Sequence, residues 1–415
     1  MEKYTLIGPI SQVLPMDDTP LKGALKDEEL RVIENAGILI EDELIHSVGD
    51  YQAIKEIALK LNAKIIELHT DYVCLPGMID AHTHICFSGS RANDYAMRNS
   101  GKTYLEIARA GGGIWDTVTK TRAASQEELC HSVIKRANYL LKNGVTTVEV
   151  KSGYGLSISE ELKMLRAINQ ANSNSESDLI LTCLAAHMLP KDYDGDHHTY
   201  LSEIAEKLFP ILKTENLSNR IDAFIEQSAF SNEHIEPYFH KAKEMGFDIT
   251  VHADQFTTSG SEIAIKFDAI SADHLEASTE KEIEKLATSN TIAVALPGAS
   301  IGLGCDFTPA RKILDQGGAL AIASDWNPGS APMGDLLTQA CILGTFQKLS
   351  NAEVLAGITC RAAAALKLND RGSLAPKMLA DFCLFPSHHF NEILYHQGKL
   401  TPSQVWKRGE SVYSK

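Results

Sequence analysis

What the sequence lacks narrows its class first. None of its eight cysteines falls in a Cys-x-x-Cys pair, which excludes the usual all-cysteine zinc modules and dithiol redox motifs. No apolar run reaches the roughly 18 to 20 residues of a spanning helix. Met1-Glu2-Lys3-Tyr4 has neither the basic nor the apolar region of a secretory leader. Positive charge is in deficit: the formal net charge is −15, the wrong sign for a phosphate backbone or an anionic membrane. There is no fixed-period repeat and no low-complexity tract. The expectation is a cytoplasmic, reduced, globular protein with no nucleic-acid and no membrane partner. An anionic small molecule stays open, because a few arginines can dominate one pocket.

What is present is a change of texture at Pro76. A chain of 415 residues is too long for one ordinary core but fits a large α/β barrel with an appendage. Before Pro76 the chain reads mostly as strands: Tyr4 to Leu14, two short strands around the acidic turn in Gly37 to Ile45, and Lys64 to Cys74. A helix with Ile54, Ile57, Ala58 and Leu61 on one stripe lies between them. After Pro76, apolar strands alternate with amphipathic helices. The strands are 78–81, 146–150, 179–185, 221–225, 248–251, 269–272, 291–295 and 319–323. They are mostly continuous apolar runs, as buried parallel strands require. Helix starts are marked by Ser125/Glu128, Ser157/Glu160, Thr279/Glu282 and Ser350/Glu353 at capping-box spacing, and by Thr308 as N-cap before Pro309. Eight strand–helix units predict an α/β fold, a (β/α)8 TIM-like barrel over 77–372. Strands return after Gly372, at 380–385 and 404–413. Residues 1–76 and 373–415 are therefore expected to form one small composite β-sandwich domain from both termini.

Chemistry in such a barrel sits at the carboxyl ends of the strands. The first strand delivers His82 and His84, which as i and i+2 share a face. A His-x-His pair arises by chance about once in a chain with this many histidines, so it carries little alone. Later strands end in His187, His252, His274 and Asp325. Each has an ordinary reading as a hydrogen-bonded structural group or turn former. Together they supply the ligand types of a catalytic zinc or iron centre. The reading is one divalent metal held by His82, His84, His252 and Asp325, with a position left for water. Asp325 can also accept a proton, His274 can serve as acid or base, and His187 faces the substrate. Arg91, after Ser88-Gly89-Ser90, suits a substrate carboxylate bound bidentately. Tyr154 stands between two glycines and is presented by a tight turn. Gly111-Gly112-Gly113 lacks the Lys-Ser/Thr of a phosphate loop and reads as a flexible or close-packed turn.

The pair His82/His84 after Pro76-Gly77 and Asp80, followed by His, His and Asp on later strands, resembles the metal-dependent amidohydrolase superfamily. A narrower similarity, to a branch that opens a cyclic amide bearing a carboxylate arm, runs through segments 87–91, 101–108, 110–114, 151–156, 252–255, 271–275 and 325–329. The resemblance implies zinc or iron on the four ligands named above. It implies substrate contacts from Arg91, Tyr154, His187, Gln255, Asn327, Gly329 and Ser330, with Tyr104 as a further candidate, and a homodimer. Two positions depart from the pattern. Gln255 stands where some members carry Glu and cannot act as a base; Trp326 replaces a smaller or Phe-like residue. The lysine that bridges two metals in other branches is not evident at the end of a middle strand, which favours one metal. The alternatives are another amidohydrolase, such as a nucleobase deaminase, which would need no anchor like Arg91, and an inactive barrel serving as a binding protein, which would be expected to have lost ligands.

Overall fold

The computed structural model describes residues 3–415, apart from the side chains of Tyr104, Leu105 and Ala108. Eight parallel strands follow one another in sheet order exactly as in the chain: Met78–Asp80, Val145–Lys151, Asp178–Ala186, Arg220–Phe224, Asp248–Ala253, Ser271–His274, Ile292–Ala295 and Leu320–Ile322. Seven begin within a residue of where the apolar runs place them; the sixth, expected over 269–272, begins two residues later, at Ser271. Their residues are almost all buried, for example all seven of Val145–Lys151, which is why the runs are continuous and not alternating.

The barrel closes between its first and last strands just beyond their ends. Asp325 N–H donates to His82 O at 3.0 Å, and His84 N–H donates to Trp326 O at 2.9 Å. Ser324 N–H donates to the Asp80 carboxylate at 2.9 Å. The seam therefore passes through the segment that carries His82 and His84.

Strands from both ends of the chain form a second, mixed sheet: Glu410–Ser414, Gln404–Lys407, Phe382–Phe385, Val73–Pro76, Tyr4–Val13, Ile33–Glu41 and Leu44–Asp50 in that order, with Lys64–Glu67 paired to Tyr4–Val13. It is packed on both faces. Leu6 and Leu39 meet the helix Tyr51–Lys60 on one side, while Ile7, Ile38 and Phe382 point to the other, as alternation along a strand requires. The single strand expected over Lys64 to Cys74 is two, because His69, Thr70 and Asp71 are polar residues between the two apolar pairs. A charge cluster ties the C-terminal hairpin to the barrel. Asp178 accepts from Lys407 at 2.7 Å and Arg408 at 2.9 Å, and also from Arg371.

Capping follows the sequence at Ser125/Glu128, Thr279/Glu282 and Ser350/Glu353, which form reciprocal boxes. Thr308 differs. Its hydroxyl donates to the carbonyl of His274 at 2.5 Å, and Pro309 takes the N-cap position of the helix Ala310–Asp315. A strand-end carbonyl competes for the hydroxyl and wins it. Between the first two barrel strands lie four helices, Ala92–Asn99, Tyr104–Arg109, Ile114–Ala123 and Gln126–Lys142; Arg91 takes the N-cap position of the first of them.

Candidate metal centre

Three imidazoles converge at the carboxyl end of the barrel. His84 Nε2 lies 3.2 Å from His82 Nε2 and 3.2 Å from His252 Nε2. All three rings are buried. Asp325 Oδ1 lies 3.4 Å from His84 Nε2 and 3.6 Å from His82 Nε2. Burial first, and the neighbouring Lys151 ammonium and imidazoles after it, hold His82 well below the usual histidine range. Burial and His252 do the same for His84. Burial lowers His252 to about 3, against the pull of Asp222.

Each outer histidine is oriented from behind. His82 Nδ1 lies 2.6 Å from Asp273 Oδ2. His252 Nδ1 lies 2.9 Å from Asp222 Oδ2. A neutral imidazole carries one N–H, which the carboxylates draw to Nδ1. Both Nε2 atoms then turn bare lone pairs toward the His84 ring. Lone pairs at such separations repel one another and share no proton, so the donor set fits one divalent cation.

Below the histidines lies a network that strand-end reading does not reveal. Lys151 Nζ contacts Glu149 Oε1 at 2.8 Å, Asp222 Oδ2 at 2.9 Å and Asp273 Oδ2 at 3.8 Å. All four groups are buried. The sequence places Lys151 at the end of the second strand but suggests no role for it. Its ammonium offsets the charge of the two carboxylates that orient His82 and His252. Burial opposes the charge on Asp222, but His252 and Lys151 together keep its carboxyl below the usual range. The spacing of Glu149 and Lys151, two residues apart on one strand, is the one local sign of this inward-facing pair.

Around the centre the other candidates fall as follows. His274 has φ of 86° and is followed by Leu275 at 71°; Asp325 has φ of 52°. Such left-handed residues cost about 1–3 kcal/mol each and persist where packing enforces them. His274 Nδ1 lies 3.4 Å from Glu276 Oε1. Burial would lower its pKa, yet Glu276 and Asp325 raise it overall. Burial pushes the Asp325 carboxyl up to about 7, opposed by His274. The His187 ring stacks on His84 at 5.6 Å, with its Nδ1 2.9 Å from Gly153 O. Burial, then that contact working against it, leaves His187 at about 4. Tyr154 is buried with its ring 5.9 Å from His84 and 5.5 Å from His187. Burial and then Asp325 push its phenol up, while Arg91 opposes them.

Arg91 is half-buried, and its Nε donates to Asp94 Oδ2 at 2.7 Å. Gly329 lies against it: a Cβ there would sit 2.5 Å from Arg91 Nη1. Asn327 and Ser330 share that loop. Asn327 donates to Asp325 O at 2.8 Å and accepts from Gly329 N–H and Ser330 N–H at 2.8 Å each, so its amide is spent on shaping the loop. Trp326 packs on Tyr139 at 5.6 Å. It lines a cavity of about 420 Å³ together with Arg91, Asn327 and Gly329. Gln255 is half-buried three residues beyond His252. Its loop is held by Glu226, which accepts from Phe256 N–H at 2.9 Å and Thr257 N–H at 3.0 Å. The Tyr104 side chain lies outside the described residues.

The chain belongs to the amidohydrolase family, whose model matches residues 103–413. Among curated proteins it is 38% identical over 391 residues to the imidazolonepropionase of Acinetobacter baumannii (strain ACICU), covering 94% of this chain and 96% of that one. It is 40% identical over 392 residues to the imidazolonepropionase of Pseudomonas aeruginosa (strain UCBPP-PA14), covering 94% and 96%. Among solved structures, atrazine chlorohydrolase from Arthrobacter aurescens TC1 complexed with zinc superposes with a TM-score of 0.70 at 16% identity, over 99% of this chain and 95% of that one. This last likeness is one of fold.

Proposed function

We infer that the chain hydrolyses 4-imidazolone-5-propanoate to N-formimidoyl-L-glutamate, the cyclic-amide opening of histidine degradation. The observation that carries this is a three-histidine centre with Asp325 beside it, and Arg91 in the cavity lined by Trp326 and Asn327, in a chain that matches imidazolonepropionases over nearly its whole length. His82, His84, His252 and Asp325 are the residues that would hold the metal. Their nitrogen and oxygen donors suit zinc or iron. When bound, a divalent ion polarises the ring carbonyl and acidifies a water.

The chain's own groups perform the rest. Arg91, steadied by Asp94, receives the propionate and places the ring carbonyl over the histidines. Tyr154 and His187 bound the ring, and the His187 Nδ1–H donated to Gly153 leaves Nε2 free to face it. The Asp325 carboxylate accepts a proton from the attacking water. Water adds to the ring carbonyl carbon, and the bond to the adjacent ring nitrogen breaks. That nitrogen takes a proton from His274, whose charged form Glu276 stabilises. Both protons of the water are thereby accounted for, one through Asp325 and one in the new carboxyl group, and His274 is recharged from Asp325.

Turnover of freshly prepared 4-imidazolone-5-propanoate tests this, with formimidoylglutamate as product; no turnover by the metal-loaded chain overturns it. Elemental analysis decides between zinc and iron. We also propose a homodimer, to be checked by sedimentation. We place the enzyme in the cytoplasm, where its free cysteines, most of them buried, stay reduced.

A further inference from the structure

The turn Gly153–Leu156 carries two of the groups just assigned to the substrate, Tyr154 and, through the carbonyl of Gly153, His187. Its backbone is unusual: Gly153 has φ of 109°, which glycine adopts freely, but Leu156 has φ of 54°, a left-handed conformation that a side chain makes costly and that needs outside support. The first part of that support comes from a buried carboxylate. Glu161, fully buried in the first turn of the helix Ile158–Asn172, accepts three main-chain N–H groups. Gly153 donates to its Oε2 at 3.0 Å, and Gly155 and Leu156 donate to its Oε1 at 2.8 and 2.7 Å. The approach is close enough that a Cβ at Gly155 would lie 2.5 Å from Glu161 N.

Two carbonyls of the turn are held by a cation. Arg122 Nε donates to Gly155 O at 2.6 Å and its Nη2 to Leu156 O at 3.3 Å. The carbonyl of Gly153 faces His187 Nδ1 at 2.9 Å. An anion on the N–H groups and a cation on two carbonyls thus clamp a turn whose Gly153 carbonyl selects the His187 tautomer. Neither group touches the centre itself. A carboxylate that only stabilised the helix start would bond to the helix's own first amides; this one reaches outward to three amides of the turn.

We propose that Glu161, assisted by Arg122, is a positioning residue for substrate binding: it fixes the Tyr154 ring and, through Gly153 O, the orientation and tautomer of His187. The proposal rests on the reading of Tyr154 and His187 as substrate-facing groups.

The test is Glu161→Gln, alone and combined with Tyr154→Phe, in the metal-loaded full chain. Gln keeps the shape but turns an N–H₂ toward one of the three amides. The expected result is metal content equal to that of the unsubstituted chain, with kcat/KM lower by about 10- to 100-fold and most of the loss in KM. Tyr154→Phe should then cost much less in the Glu161→Gln background than in the unsubstituted chain. Amide hydrogen exchange over residues 153–156 should quicken. Additive losses, or faster exchange with unchanged kinetics, overturn the positioning role. If Glu161→Gln does not fold, Arg122→Gln replaces it in the same cycle, and additivity there is equally fatal. Failure of the reaction itself appears separately, as absence of turnover in the unsubstituted reference.

Discussion

His82 Nδ1 sits 2.6 Å from Asp273 Oδ2, both groups buried, so a carboxylate on the sixth barrel strand dictates which nitrogen the histidine after the first strand turns to the centre. Asp273→Asn removes the charge while keeping an oxygen in place. It should weaken metal binding by about 10- to 100-fold, measured by competition with a chromogenic chelator. An unchanged affinity would show that His82 is oriented by packing alone.

His252→Ala should abolish metal binding and turnover together, because the remaining donors no longer surround one point. Elemental analysis of the purified variant reads the first and product formation the second. A variant that stays active without metal contradicts the ligand assignment.

Arg91→Ala should raise KM far more than it lowers kcat. Loss of a charge-assisted hydrogen bond is worth about 1.5–3 kcal/mol, or roughly 10- to 100-fold in apparent affinity. Arg91→Lys should recover little, since an ammonium cannot keep the Asp94 contact and also bind bidentately. Steady-state kinetics decide; unchanged apparent affinity in the Ala variant removes the carboxylate role.

The Asp178 cluster makes an acid-stability prediction. Burial would raise this carboxyl, but Lys407, Arg371 and Arg408 bring it down to about 2. A folded value below the usual one means the ionised group stabilises the fold at neutral pH. That contribution, on the order of 2 kcal/mol, is lost as the pH falls from about 4 to 2. Asp178→Asn should therefore be less stable than the unsubstituted chain at pH 7 and nearly equal to it at pH 2, in denaturant titrations at each pH. An equal gap at both pH values would rule out the charge as the cause.

The eight barrel strands were legible because a strand buried on both faces must be apolar throughout, and such runs are bounded by polar strand ends. That His82, His84, His252 and Asp325 would meet was legible because few residue types bind metals and the barrel gathers its strand ends. Lys151, Asp222 and Asp273 were not, since only the closed barrel brings three strands' side chains within 4 Å. Glu161 was hidden by its setting: a glutamate in a helix's first turn looks like any solvated cap residue, and its partners are amides that carry no sequence mark. The roles expected of Gln255 and Asn327 depended on loop shape, which neither periodicity nor residue type encodes. In the structure, the Asn327 amide is taken up by its own loop.

The main-chain bonds between Asp325 and His82, and between Trp326 and His84, couple assembly to chemistry in time. Three of the four proposed ligands are synthesised before the last barrel strand emerges, yet the fourth arrives only with it. A nascent chain thus carries histidines that can collect metal ions without being able to enclose one. Docking of the final strand closes the wall and brings Asp325 to the three histidines in one event, so an ion held by all four would mark a molecule that has finished folding. The same coupling makes metal loss a kinetic hazard: an emptied centre would loosen the barrel where its two ends meet, and unfolding would be expected to start there.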